Sequence, residues 1–227
     1  MTAAFLLAFI LLLAAGIPVA FALLAAPGSE AIWRDENGVL TQLALRLYYG
    51  VDSFPLMALP FFVLAGELMN RGGITERLVS LSQAFIGHYQ GGLAQVNIAT
   101  SMLFAGLSGS AVADTSAVGA IMIPAMERNG YTRRFAASVT AASSVIGPII
   151  PPSGIMIMYA FMMDVSVAGL FAAGVVPGIL LGMALMVLTA VLARVRNFPV
   201  ARERASWGER AGAVKRGILP LLTPLIM

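Results

Sequence analysis

Two strongly hydrophobic stretches of this chain are interrupted near their middle by glycine, serine and proline. The first interruption is Ser108-Gly109-Ser110, and the second runs from Gly147 to Ser153. Inside a bilayer each unsatisfied backbone polar group costs several kcal/mol, so irregular backbone is tolerated only where it lines a cavity walled by protein. Paired breaks of this kind indicate a binding site near the bilayer midplane of a secondary transporter.

The composition is that of an integral membrane protein. Apolar residues make up 59% of the 227 positions and charged residues 11%, and the mean hydropathy is +0.89, well outside the averages of soluble domains. Cysteine is absent and His88 is the only histidine, so neither a disulfide framework nor a histidine-based metal site is expected. The net charge of +3 lies in loops, in the positive-inside pattern, and does not indicate a nucleic-acid partner.

Long uncharged stretches predict the first transmembrane elements. Residues 3–26 are predicted to form one retained span, kinked at Gly16-Ile17-Pro18, rather than a cleaved signal peptide. Residues 51–69 are predicted to form a second span. The aromatic and charged residues of 27–50, and the amphipathic pattern of 72–90, are typical of segments at the membrane interface.

Residues 92–126 predict a re-entrant hairpin. This block is about 35 residues long, which is too long for one span and too short for two. The break at Ser108-Gly109-Ser110 leaves arms of about 13–16 residues, shorter than a hydrocarbon core of about 30 Å requires. Residues 135–163 are predicted to form a span broken near its middle, and 166–193 an unbroken one.

The arginine-rich loops predict the orientation of these elements. A hairpin that enters and leaves by one face puts the loops on either side of it in the cytoplasm, together with the basic stretch 194–216.

The second break is suited to a cation. Proline lacks an N–H, so Pro151 and Pro152 leave the carbonyls of Gly147 and Pro148 without helical partners. Nearby hydroxyl oxygens come from Ser143, Ser144 and Ser153. Carbonyl and hydroxyl oxygens together suit a hard cation such as sodium.

An anion is expected beside this cation. The half-helix that begins near Ser153-Gly154 points its positive end toward the break, and this end favours an anionic substrate.

The hairpin tip supplies complementary groups. Gly106 and Gly109 allow tight turns, and Ser108 and Ser110 offer hydroxyls. Asp114 begins the return arm, and an intramembrane carboxylate is a functional candidate by default. Both breaks are expected at similar depth, where they can meet. A purely structural reading, with glycine and serine serving close helix packing, stays open for the tip taken alone.

These motifs resemble the large membrane subunit of the TRAP (tripartite ATP-independent periplasmic) transporters. The resemblance covers residues 16 to 180 and rests on five stretches: Ala58 to Asn70, Gly91 to Asn97, Gly106 to Asp114, Gly147 to Ser153 and Leu170 to Gly178.

The resemblance implies an all-α integral membrane protein of transmembrane helices with a re-entrant hairpin and a discontinuous helix, forming half of an inverted-repeat elevator transporter. It implies sodium-coupled uptake of organic anions, of the C4-dicarboxylate or sialic-acid type, across a bacterial inner membrane. A periplasmic binding protein and a small membrane subunit are the implied partners. Sodium is the implied coupling ion, without an organic cofactor.

The resemblance also assigns residues to roles. The implied sodium ligands are Ser108, Asp114, Gly147, Ile150 and Pro152. The implied substrate contacts are Ser110 and Ser153, with Gly154 beside them.

The predicted domain organisation has five parts. They are scaffold spans and interfacial helices at 1–91, the transport core at 92–165, a span at 166–193, a basic cytoplasmic loop at 194–216 and the start of another apolar segment at 217–227.

Two alternatives compete with the transporter interpretation. The large subunit of that family is about twice as long as this chain, so a structural membrane subunit or a non-functional fragment stays open. An intramembrane serine protease is suggested by the sequence Gly106-Leu107-Ser108-Gly109, but its serine needs a general base within hydrogen-bond reach. The only histidine, His88, lies upstream at the interface. No enzymatic activity is therefore expected.

Overall fold

A computed structural model describes residues 3–33, 37–52, 54–198, 200 and 204–226. All regular structure in these ranges is helical, without a strand, which confirms the predicted all-α class. The contacts divide the chain into two compact units, Met1–Phe54 and Pro55–Met227. The predicted boundary after residue 91 separates a scaffold from a moving transport core, and it stays a prediction.

The first unit contains three helices, α1 (Ala3–Ala14), α2 (Val19–Trp33) and α3 (Asn37–Val51). The single span predicted over 3–26 is wrong, because the chain turns between α1 and α2. Gly16 adopts a left-handed conformation with φ 81°, and the following Pro18 has no N–H to continue a helical ladder. The kink expected at Gly16-Ile17-Pro18 is thus a complete break. Residues 34–36 of the predicted interfacial segment lie outside the described residues.

The second unit contains the remaining helices. They are α4 (Phe54–Arg71), α5 (Ile74–Ile86), α6 (Gly92–Ser108), α7 (Ala111–Arg128), α8 (Arg133–Ser144), α9 (Gly154–Met163), α10 (Val167–Val195) and α11 (Trp207–Ile226). Helix α6 lies at the centre, packed against α5, α7, α8, α10 and α11, and most of its residues are buried. The amphipathic helix predicted over 72–90 is confirmed as α5.

Helices α6 and α7 form a helical hairpin, because they contact each other and only Gly109 and Ser110 separate them. Their 17 and 18 residues give lengths of about 25–27 Å, longer than the arms predicted from sequence. Gly106 is part of α6 and is not a turn residue. Helix α6 continues through Gly106 and ends at Ser108, because the next residue, Gly109, adopts the left-handed conformation.

The discontinuous helix predicted over 135–163 is confirmed. Helix α8 ends at Ser144, helix α9 begins at Gly154, and residues 145–153 between them form turns. The long helix α10 follows. It packs closely because glycines face its neighbours: a Cβ built at Gly174 would lie 2.5 Å from the Ile149 carbonyl oxygen, and one at Gly178 would collide with Cγ1 of Ile150.

The predicted loop over 194–216 is partly helical. Helix α11 begins at Trp207 and packs against α5. Its start is a capping box, in which Ser206 Oγ accepts a hydrogen bond from the Glu209 amide and the Glu209 carboxylate accepts one from the Ser206 amide. The sequence Ser206-Trp207-Gly208-Glu209 matches the capping-box pattern, so this helix start has a local signal within the basic stretch.

Among the described residues, α10 is the one helix whose length and hydropathy suffice to cross a bilayer. Three shorter apolar helical stretches, Phe5–Ala14, Val19–Ser29 and Gly154–Met163, are too short for this test. The spans predicted over 3–26 and 135–163 are divided by the breaks described above, whereas the span predicted over 51–69 is the continuous helix α4.

Candidate functional site

The hairpin tip is built by a helix end and a helix start in immediate succession. Helix α6 ends at Ser108 because Gly109 adopts the left-handed conformation, φ 55°, and donates its N–H to the Ala105 carbonyl at 3.0 Å. Ser110 is extended and begins α7, where its Oγ accepts a hydrogen bond from the Ala113 amide at 3.3 Å. The local sequence alone therefore explains the tip.

The second break ends in the same kind of helix start. Ser153 is extended, with φ −136° and ψ 128°, and its Oγ accepts a hydrogen bond from the Met156 amide at 3.4 Å. Before it, the Pro151–Pro152 peptide bond is cis, and neither proline has an N–H to donate. Within the described part of the chain, no backbone N–H donates to the carbonyls of Gly147, Ile150 or Pro152.

The two breaks meet, which confirms that prediction. A Cβ built at Gly109 would lie 2.7 Å from the Pro152 carbonyl oxygen and 2.8 Å from the Ser153 Cα. A Cβ built at Gly147 would lie 3.2 Å from the Ser110 carbonyl carbon. Both close approaches are between backbone segments, so glycine at 109 and 147 lets the hairpin tip seat directly on the turns of the second break.

This contact brings two helix N-termini together. Helices α7 and α9 begin one residue after Ser110 and Ser153, and the tip packs against the backbone of Pro152 and Ser153. Each N-terminus carries a partial positive charge. Two such ends side by side make an electrostatic environment that favours an anion.

Helix α4 covers the tip. A Cβ at Gly66 would lie 3.3 Å from the Leu107 carbonyl oxygen, and the Phe62 ring lies 3.0 Å from the Cβ position of Gly109. Beside this contact is a cavity of about 350 Å³, whose apolar walls include Phe61, Phe62 and Pro152. The structure thus places an apolar space next to one of the predicted ligand residues.

Asp114 lies in the first turn of α7 and is fully buried. The hydroxyls of Ser101 on α6 and Ser144 on α8 face its carboxylate. Among the described residues both carboxylate oxygens lack a hydrogen-bond partner. An ionised carboxylate buried in this way costs several kcal/mol unless a positive group compensates it.

The predicted site residues are therefore brought into one region, in two sets. Ser110, Gly147, Pro152 and Ser153 meet at the contact between the breaks, where Gly154 begins α9. Ser108 is half-buried at the tip, and its Oγ accepts a hydrogen bond from the Ser110 amide at 3.4 Å. Asp114 faces α6 and α8, and the structure gives no contact between its carboxylate and the carbonyls of the second break.

Sequence reasoning identified the Ser144 hydroxyl but missed its neighbours on α6. Two hydrogen bonds between buried side chains join α6 to α8: the Asn97 amide donates to the Thr140 hydroxyl at 2.7 Å, and the hydroxyls of Ser101 and Ser143 share one at 3.0 Å. A signal was available, since polar residues recur at helical spacing in both segments. No group of three or more His, Cys, Asp or Glu that would suit a transition metal occurs in the described residues.

A helical hairpin seated on a discontinuous helix, with two helix N-termini at the junction, is the arrangement typical of secondary transporters. Comparison with known proteins agrees with this class. The chain belongs to the family of the DctM component of the tripartite ATP-independent periplasmic transporters, which it matches over residues 6–227. The resemblance seen in the sequence is therefore confirmed.

Several relatives are similar over most of this chain. It is 40% identical to the sialic acid TRAP transporter permease protein SiaT of Haemophilus influenzae over 225 residues, 98% of this chain and 36% of the relative. It is 40% identical to the 2,3-diketo-L-gulonate TRAP transporter large permease protein YiaN of Escherichia coli, covering 95% of this chain and 50% of the relative. It is 42% identical to the C4-dicarboxylate TRAP transporter large permease protein DctM of Pseudomonas aeruginosa, covering 82% and 43%. The chain spans half or less of the length of these relatives.

Proposed function

We propose that this chain forms part of a sodium-coupled permease that imports organic anions across a bacterial inner membrane. The observation that carries the proposal is the contact between the hairpin tip and the second break, where a Cβ at Gly109 would lie 2.7 Å from the Pro152 carbonyl oxygen. This contact joins the residues expected to bind the anion to those expected to bind the cation.

The anion binds at the paired helix N-termini. Ser110 and Ser153 cap these helices, and the partial positive charges of α7 and α9 face the same region. The amide of Gly154 belongs to the first turn of α9. Sialic acid, 2,3-diketo-L-gulonate and C4-dicarboxylates, named for three relatives, all carry a carboxylate, so we assign a carboxylate-bearing substrate to this chain.

Sodium binds beside the anion. The carbonyls of Gly147, Ile150 and Pro152, which no described backbone N–H engages, supply neutral oxygen ligands of the kind that sodium prefers. Asp114 contributes the negative charge, and Ser108 contributes a hydroxyl from the tip. Binding of a cation and an anion in neighbouring positions couples the two, because each ion stabilises the other.

The hairpin is re-entrant in the bilayer. Its arms, of about 25–27 Å, fall short of a hydrocarbon core of about 30 Å. The tip therefore lies within the membrane, where its irregular backbone is covered by α4 and the second break. Movement of the domain that carries both breaks, in the manner of an elevator, then exposes the site alternately to the two sides.

Two partners complete the transporter. A periplasmic binding protein delivers the substrate, and a small membrane subunit braces the large one. The part of the relatives that this chain does not cover supplies an inverted second repeat.

The test is uptake of radiolabelled C4-dicarboxylates and sialic acid into proteoliposomes that contain this chain within the complete transporter. Wild type is compared with Asp114→Ala and with the control Thr115→Ala, whose exposed hydroxyl donates only to the Ala111 carbonyl. We expect sodium-driven uptake that is lost in Asp114→Ala and kept in Thr115→Ala. Uptake without any sodium dependence would contradict the proposal.

A structural subunit is the second candidate, and it predicts that Asp114→Ala leaves uptake by the assembly unchanged. The protease hypothesis finds no support in the geometry. His88 precedes the N-terminus of α6 and Ser108 ends it, so about 25 Å of helix separates the two residues.

A further inference from the structure

A second cavity, of about 490 Å³, lies between the turn that joins α5 to α6 and the C-terminal part of α10. Its apolar wall is formed by Ile86 of α5 and by Met186, Val187 and Ala190 of α10. None of the residues assigned to substrate or to sodium lines this cavity. We call it the α10 groove, and it is separate from the site at the two breaks.

Two contacts between distant segments hold the walls of the α10 groove together. The buried side chain of Gln95, on α6, donates a hydrogen bond to the Met186 carbonyl on α10 at 2.8 Å. At the start of α6, Gly91 lies so close to α10 that an added Cβ would collide with the Cβ of Ala193. The groove is therefore formed by the packing of the helices, and a ligand does not have to open it.

One end of the α10 groove carries a positive charge. Arg194 is an exposed residue in the last turn of α10, and Tyr89 and Gln90 of the α5–α6 turn line the same cavity. Among the described residues no carboxylate forms an ion pair with Arg194. Its guanidinium, which stays ionised at any physiological pH, is thus available to an anion.

The α10 groove runs from this charged end toward the middle of the membrane. Met186, Val187, Ala190 and Arg194 follow one face of α10 at helical spacing, and the distance from the first to the last is about 12 Å along the axis. Arg194 begins the basic stretch that is predicted to be cytoplasmic. Tyr89 is 57% exposed, as is typical of aromatic residues at the membrane interface.

We propose that the α10 groove binds an anionic phospholipid of the cytoplasmic leaflet, with the phosphate at Arg194 and an acyl chain along the apolar wall. Arginine binds phosphate through charge-assisted hydrogen bonds, often two in parallel. Tyr89 and Gln90 offer further donors to the same headgroup. Basic pockets between transmembrane helices on the cytoplasmic side are known to bind anionic headgroups. A free phosphate ion would use the arginine but not the apolar wall, so the wall favours a lipid.

The position of Arg194 also has a simpler explanation, since the dipole of a helix stabilises a cation at its C-terminus. The control is therefore Arg128, an exposed arginine in the last turn of α7 that does not line the α10 groove. Both arginines interact with a helix dipole, but only Arg194 has an apolar groove beside it. A difference between the two variants isolates the contribution of the lipid.

The experiment adds phosphatidylglycerol or phosphatidylcholine to the complete transporter, purified in detergent and stripped of lipid. Native mass spectrometry counts the phospholipids retained per complex, and the melting temperature is measured with each lipid and without lipid. Arg194→Gln removes the charge, and Ala190→Trp fills the groove. The controls are Arg128→Gln and Met183→Trp, which adds the same ring at an exposed position of α10.

We expect phosphatidylglycerol to raise the melting temperature of wild type more than phosphatidylcholine does. Arg194→Gln should weaken phosphatidylglycerol binding by roughly 10-fold, the usual worth of a hydrogen bond to a charged group, and should leave phosphatidylcholine binding unchanged. Ala190→Trp should reduce the retention of both lipids. Both controls should behave as wild type. Melting temperatures without lipid separate a folding defect of Ala190→Trp from a loss of binding.

Two results would overturn the inference. One is equal stabilisation of wild type by the two lipids, which would mean that the α10 groove does not select an anionic headgroup. The other is an Arg194→Gln variant with the phosphatidylglycerol preference of wild type, which would assign Arg194 to the helix dipole alone. The inference rests only on the membrane location in the proposed function. Because neither readout involves substrate or sodium, its failure is distinguishable from a failure of the uptake experiment.

Discussion

Gly109 and Pro152 are in backbone contact, so closely that a single added Cβ at Gly109 would lie 2.7 Å from the Pro152 carbonyl oxygen. The first residue ends a helix in the left-handed conformation, and the second closes the turns that interrupt another helix. This contact fixes the relative position of the hairpin and the discontinuous helix, and hence of the two helix N-termini beside it.

Substitution Gly109→Ala is expected to destabilise the protein by roughly 1–3 kcal/mol, from the left-handed backbone together with the collision with Pro152. The measurement is the melting temperature of the purified protein in detergent. Gly208→Ala is the control, because a Cβ there meets nothing within 4 Å. A Gly109→Ala variant as stable as the control would show that the tip does not seat on the second break.

The two serine caps should have separable roles in stability and in substrate binding. Ser110→Ala and Ser153→Ala are each expected to cost about 1 kcal/mol, the usual worth of an N-cap, and also to raise the KM for substrate. Ser166→Ala removes the exposed cap of α10, whose Oγ accepts from the Gly169 amide at 3.2 Å. This control should lose similar stability without a change in KM. If Ser110→Ala and Ser153→Ala had the same KM as the control Ser166→Ala, this would argue against an anion site at the paired N-termini.

Close packing of α10 against the second break should make Gly174 intolerant of any side chain. A Cβ at Gly174 would lie 2.5 Å from the backbone oxygen of Ile149, whereas a Cβ at Gly169 makes ordinary contact at 3.5 Å. Overpacking of this kind typically costs about 1–3 kcal/mol. Thermal unfolding of Gly174→Ala and Gly169→Ala should therefore differ, and a melting temperature for Gly174→Ala equal to that of Gly169→Ala would contradict the packing described.

Alkaline pH should destabilise the protein through Tyr131, which lies in the loop between α7 and α8. Burial raises the pKa of Tyr131 from 10.0 to about 12. Between these values the unfolded chain has released the proton and the folded chain retains it, so stability falls as pH rises. Melting temperatures of wild type measured from pH 9 to 12 should decline more steeply than those of Tyr131→Phe, which has no phenolic proton. Parallel curves would show that Tyr131 does not contribute.

The sequence predicted those parts of the fold that depend on local chemistry. The turn glycine at 109 and the missing amide protons of Pro151 and Pro152 each act within a few residues of themselves, and the hairpin and the broken helix followed from these signals. The serine caps at 110 and 153 are equally local, but they were not predicted from the sequence. The errors were also local: Gly16 and Pro18 end a helix instead of kinking it, and the capping box at Ser206 begins a helix inside a basic stretch.

The sequence did not predict which residues distant in the chain come into contact. The two breaks were expected at a similar depth, but only the tertiary structure shows Gly109 against Pro152 and Gly147 against Ser110. The same holds for Asp114, which the sequence marked as functional without indicating its neighbours. Helical spacing places Ser101 and Ser144 on polar stripes, yet the choice of facing stripe depends on how α6, α7 and α8 pack.

The sequence by itself therefore determined the all-helical class, the family, the two breaks and the candidate residues, because each of these is written in local composition and spacing. The tertiary structure decided that the two breaks meet and which buried hydroxyls of neighbouring helices pack together. The physical reason is that such contacts join segments far apart in the chain, as for Ser101 and Ser143, which lie 42 residues apart in sequence and 3.0 Å apart in space.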